Sequence, residues 1–152
     1  MYEKKNHEVK WLNIIKFLKC NPQKRLTVYA YIYSAIFRLE IFFIKPKYLQ
    51  KCWGTEGQES PEEEAPWKYR YAINVSNVVD RICSRTAWES KCLVRALTAQ
   101  KILKKKGIHS TLYLGCGEKE GKLVAHAWLR CGKIYVTGGD GTEYSIVDKF
   151  SV

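Results

Sequence analysis

The stretch WESKCLVRALTAQKILKKKG, residues 88–107, decides how the rest of the chain reads. With a 3.6-residue period, Leu93, Ala96, Leu97, Ala99, Ile102 and Leu103 make an apolar stripe, while Lys91, Arg95, Thr98, Lys101 and Lys105 fall on the other side. The pattern predicts a surface helix with one buried face. Ser90 suits its N-cap, Lys104, Lys105 and Lys106 suit the negative C-terminal end of the dipole, and Gly107 suits a left-handed residue just past the end. Cys92 then falls in the first turn, where free backbone N–H groups and the dipole favour negative charge and push a thiol toward the attacking thiolate. A cysteine there also packs well as a small hydrophobe, so position alone assigns no function.

After Gly107 the period changes from helical to alternating. Residues 109–115 (HSTLYLG), 123–130 (LVAHAWLR), 134–137 (IYVT) and 144–150 (YSIVDKF) read as strands, with CGEKEGK, CGK and GGDGTE as the turns between them. Before residue 88, YRYAINVSNVVDRICSRT places apolar residues at Ile73, Val75, Val78, Val79 and Ile82, a further helix. Residues 8–20 and 22–45 read as two more helices parted at CNPQK. Helices first and a mostly antiparallel sheet afterwards make the chain α+β. Three regions follow: a basic helical part over 1–55, an acidic linker or loop over 56–66 (within GTEGQESPEEEAP), and a core over 67–152.

The 152 residues make about one domain, and 46% hydrophobic composition excludes wholesale disorder. The net charge of +11 is uneven: residues 1–51 hold 11 Lys and Arg against 3 acids, a net +8, and the remainder supplies +3. That distribution favours an acidic partner or an anionic membrane surface over uniform nucleic-acid binding. The run RLTVYAYIYSAIFRLEIFFIK is apolar but carries Arg38 and Glu40, so a helix buried against the domain or laid on a partner is favoured, with a membrane surface as the less favoured alternative. The charged opening MYEKKNHEVK is not a signal peptide, so the expected compartment is the reducing cytoplasm and the six cysteines are not read as a disulfide framework. No C-x-x-C occurs and no His lies three to five residues from another, so no metal is expected.

In LVAHAWLR, alternation places Val124, His126, Trp128 and Arg130 on one face and Leu123, Ala125, Ala127 and Leu129 on the other. A cysteine at a helix start and a histidine on a later strand are the parts of a nucleophile pair in which imidazole takes the thiol proton. A third group would hold the imidazole tautomer. The acids after His126 are Asp140, Glu143 and Asp148; Asp140, one strand beyond the histidine strand, is the first choice and Asp148 the second, and a plain turn aspartate is the competing reading of Asp140.

SKCLVRALTAQKILKKKGIHSTLYLG followed by LVAHAWLRCGKIYVTGG resembles the lasso peptide biosynthesis B protein in its stand-alone leader-peptidase form, a branch of the transglutaminase-like cysteine peptidases. The resemblance covers residues 75–150 and fits the N-terminal helices more loosely. It implies a transglutaminase-like or papain-like core, with Cys92 as nucleophile and His126 as base and acid, and cleavage of the leader from a ribosomally made precursor. Neither metal nor organic cofactor is implied. It implies as partners the precursor, a small leader-recognition protein and an ATP-using cyclase. The family's third residue is an aspartate on or just after the strand that follows histidine; IYVT contains none, and Asp140 is the nearest match. Acyltransferases share the arrangement, with an amine in place of water. A non-catalytic adaptor that docks a partner or membrane through the basic helices is the reading from a different class.

Overall fold

The computed structural model describes residues 21–152, so the helix expected over 8–20 lies outside the described residues. Helix α1 (Lys24–Phe43) is followed by α2 (Pro46–Leu49), a 3-10 turn (Gln50–Cys52) and the two-residue strand β1 (Thr55–Glu56). Then come α3 (Pro66–Cys83), α4 (Cys92–Lys105) and strands β2 (Thr111–Lys119), β3 (Lys122–Cys131), β4 (Ile134–Thr137) and β5 (Ser145–Ser151). The strands form one sheet in the order β1-β5-β2-β3-β4, with every neighbouring pair antiparallel. This is the expected α+β arrangement.

The β2–β3 hairpin is longer than the turn formers suggest. CGEKEGK reads as a turn, yet β2 continues through Lys119 and only Glu120 and Gly121 connect the strands, at φ 52° and 72°. Two consecutive left-handed residues twist a two-residue hairpin in the same sense as its strands.

Helix α4 is central rather than superficial. Of the predicted stripe only Leu93 is partly exposed, Val94, Thr98 and Gln100 are buried as well, and the Thr98 hydroxyl donates to the Val94 carbonyl at 2.7 Å. The sheet packs on one side of α4, while α1 and α3 cover others. Leu97, Ile102 and Leu103 therefore share a core with Val75, Val78 and Val79 of α3 and with Leu112, Ala127, Leu129 and Phe150 of the sheet. Ile73, expected on the apolar face of α3, is 50% exposed. It sits about 100° around the helix from Ala72, which is buried.

Helix α1 is long and apolar enough to cross a membrane by length and composition, but it lies against α3 and α4 with 22% of that window buried. Ala30 and Ser34 are buried, while Ile32, Leu39, Phe42 and Phe43 on its far side are exposed. Residues 57–65 form a loop whose carboxylates meet basic groups: Glu59 pairs with Arg130 (3.1 Å) and Lys149 (2.8 Å), Glu64 with Lys68 (2.6 Å), and Glu63 with Lys133.

Candidate active site

The alternation of β3 sorts its side chains onto two surfaces. Ala127, Leu129 and Cys131 are buried in the shared core toward the helices. His126, Trp128 and Arg130 take the other face. There the His126 ring stacks on Tyr144 and Trp128, with centroids 4.5 and 5.9 Å away, and Trp128 stacks in turn on Tyr113 at 5.5 Å. Gly115 lies opposite His126 in the β2–β3 register, and a Cβ there would come within 2.8 Å of the Trp128 ring, so the aromatic layer depends on that glycine. A cavity of about 540 Å³ opens beside this layer, lined by Tyr113, Trp128, Arg130, Asp140, Tyr144 and Ile146 among others. Arg130 is fixed at its edge by the Tyr113 hydroxyl (3.0 Å), the Gly132 carbonyl (2.8 Å) and the Ser60 carbonyl (3.1 Å).

The Nε2 atom of His126 lies 2.7 Å from the carbonyl oxygen of Gly138. A carbonyl only accepts, so this bond requires a proton on Nε2 and leaves Nδ1 of the neutral ring with its lone pair. Asp140 does not make this contact. Its Oδ1 accepts from the Thr142 backbone N–H (3.1 Å) and hydroxyl (3.0 Å), an Asx-type turn, and these bonds hold its carboxyl below the usual range. The Oδ1 of Asp148 accepts from the Lys149 N–H at 2.7 Å. The imidazole partner expected at Asp140, or failing that at Asp148, is thus a main-chain carbonyl in the structure.

Cys92 is the first residue of α4, half-buried and packed against the core. Ser90 does not cap this helix: the cap position is Lys91, with no side-chain cap bond, and the Ser90 hydroxyl lies 3.1 Å from that of Thr86. The reason lies one turn along. Arg95 donates from Nε to the Ser90 carbonyl (3.0 Å), reaches the Ser84 hydroxyl (3.2 Å) and pairs with Asp80, and so pins the loop entering α4 by its backbone. The backbone N–H groups of Cys92, Leu93 and Val94 have no intrahelical acceptor, and none has another partner among the described residues. They are donors suited to a negative charge forming beside Cys92.

The structure does not bring thiol and imidazole into hydrogen-bond contact: among the described residues no such bond joins Cys92 to His126, and they flank β3 from its two sides. Cys83 and Cys131 are buried, and burial pushes both thiols up, that of Cys131 to about 11. Among the described residues no group of three or more His, Cys, Asp and Glu side chains could hold a metal ion.

Sequence reasoning placed Arg95 on the outer side of the helix and did not single out Gly138 or Tyr144. The available signals were the position of Arg95 one turn beyond the cysteine and the Gly138–Gly139 pair directly after a strand. A family model described as the transglutaminase-like superfamily matches residues 47–148. Comparison with curated proteins and with solved structures gives no match.

Proposed function

The chain belongs to the transglutaminase-like superfamily, and from that premise we propose that it is a cysteine peptidase that removes the leader from a ribosomally made lasso peptide precursor. The observation that carries the reading is the uncapped first turn of α4, which presents a thiol beside unpartnered N–H donors. The resemblance of residues 90–115 and 123–139 to leader peptidases supplies the substrate class.

In this mechanism Nδ1 of His126 takes the proton of the Cys92 thiol as sulfur adds to the scissile carbonyl. The first-turn N–H groups of α4 receive the oxyanion. Collapse of the adduct breaks the C–N bond, and the imidazolium gives its Nδ1 proton to the departing amine of the core peptide. Water then adds to the thioester, losing a proton to Nδ1, and the leader leaves with a free carboxylate while the thiol regains its proton. The Gly138 carbonyl holds the Nε2–H throughout. The two groups lie on opposite sides of β3, so this transfer requires the His126 segment, which lies beyond the part of β3 paired with β4, to shift toward the first turn of α4 when the precursor is seated. A small leader-recognition protein presents the leader, and a separate ATP-using cyclase consumes the released amine. The reaction runs in the reducing cytoplasm, where the thiol remains free.

The test is to incubate the protein with its recognition partner and a candidate precursor and to weigh the products. Two fragments with the wild type and none with Cys92→Ala are expected. An intact precursor, or cleavage by Cys92→Ala at the wild-type rate, would falsify the reading.

A further inference from the structure

The opposite end of α4 carries a second concavity. A cavity of about 600 Å³ lies between the first turn of α1, Tyr71 of α3 and the last turn of α4. Arg25, Lys105 and Lys106, with Lys24 beside them, provide its charged wall, Tyr29 and Tyr71 provide aromatic surface, and no Asp or Glu is among its described lining residues. Arg25, Lys105 and Lys106 form no ion pair among the described residues. Cations gathered around a concave surface repel one another and focus a positive field into it, and an anionic ligand relieves that repulsion.

We propose that this basic cleft binds an acidic, carboxylate-rich peptide segment. A nucleotide fits the lining less well. The Lys105 ammonium lies 4.5 Å over the Tyr29 ring and that of Lys106 lies 5.6 Å over Tyr71, so each ring already has a cation over it where a base would stack. The turn entering α1 is Asn21-Pro22-Gln23, with no glycine to let backbone N–H groups cradle a phosphate. Carboxylates spaced along a peptide match cations spread along a rim, and the tyrosine rings and Ile102 accept the intervening apolar atoms. With a rise of about 1.5 Å per residue, Lys105 lies roughly 20 Å along α4 from Cys92, so a ligand confined to the cleft leaves the thiol untouched.

The experiment is calorimetric titration of the full chain with a capped hexaglutamate peptide at about 0.05 M salt, where exposed charges are weakly screened. Saturable binding is expected, weakened about tenfold or more in the double variant Arg25→Glu/Lys106→Glu. Lys119→Glu/Lys122→Glu changes the net charge equally at the β2–β3 hairpin and should stay within about twofold of the wild type. Milder Arg25→Gln and Lys106→Gln variants, each checked by thermal melting, guard against misfolding and should each weaken binding by a smaller factor. Absence of saturable binding overturns the proposal, as does equal weakening by the two double variants, which would indicate diffuse attraction. Tighter binding of ATP, with the same dependence on Arg25 and Lys106, would make the cleft a nucleotide site instead. Peptide cleavage is not read in this experiment, so its outcome is independent of the peptidase reading.

Discussion

Along β3, neighbouring residues serve opposite ends. Ala127, Leu129 and Cys131 are nearly inaccessible and pack toward α4, whereas His126 stands on the far face in an aromatic stack and is oriented by a main-chain carbonyl. The period-2 alternation of a strand allows one ten-residue segment to support the core and offer a reactive group without sharing a side chain between the tasks. Stability and activity should therefore separate cleanly between alternate positions.

The largest effect expected is at His126. His126→Ala should reduce precursor cleavage by about a thousandfold or more while lowering the urea midpoint only modestly. It removes the base of the proposed mechanism together with a half-buried ring stack and one hydrogen bond, and opens no cavity in the helix-side core. Leu129→Ala, three residues on and fully buried, should instead cost about 2–5 kcal/mol of folding stability in the same titration. A large loss of stability at His126 would break the contrast.

Next comes the group that orients the ring. A Cβ at Gly138 would lie 2.6 Å from the Ala127 carbonyl oxygen and 2.8 Å from the Trp128 Cβ, so Gly138→Ala must displace the carbonyl that His126 uses. Cleavage should fall about 10- to 100-fold. Gly139 has a similar φ (73° against 77°) but open space around it, and Gly139→Ala should change cleavage by less than about threefold. Nitrogen-15 spectra of the wild type should show the neutral ring protonated at Nε2; a proton on Nδ1 would contradict the assignment to Gly138.

Smaller still are the effects at the two aspartates. Neither carboxylate bonds the imidazole, so Asp140→Asn and Asp148→Asn should each alter turnover by less than about threefold. A marked loss at only one of them would transfer the orienting role to that side chain. The mildest signature belongs to Cys131, whose thiol is raised by burial. Its contribution to stability is fully present below the pKa of the unfolded thiol and is lost as pH rises toward about 11. Thermal melts from pH 8 to 11 should therefore show a smaller decline for Cys131→Ala than for the wild type.

Much of the framework was legible in local patterns. The change from a 3.6- to a 2-residue period at Gly107 gave the order of helices and strands, and alternation in LVAHAWLR gave the two faces of β3. The burial of Thr98 and Gln100 was not legible, because local periodicity does not reveal how many neighbours surround a helix. Ser90 followed the ordinary capping preference, which the nonlocal contacts of Arg95 override. The partner of His126 left no side-chain signature at all, since any residue brings a carbonyl; only the glycine pair marked a place where backbone comes close. The acidic segment before α3 showed its charges but not their destinations: apart from Lys68 one turn away, these lie far along the chain, on β3, on β5 and in the turn between β3 and β4.

The central claim is that the first turn of α4 makes Cys92 the reactive thiol, and site-resolved alkylation tests it most directly. The folded protein is treated with limiting iodoacetamide near neutral pH, and labelling of each cysteine is followed by peptide mass. Simple accessibility would rank exposed Cys52 above half-buried Cys92. The account predicts the reverse, with Cys92 labelled several-fold faster than Cys52 and with buried Cys83 and Cys131 unlabelled on the same timescale. Labelling of Cys92 no faster than that of Cys52 would contradict it.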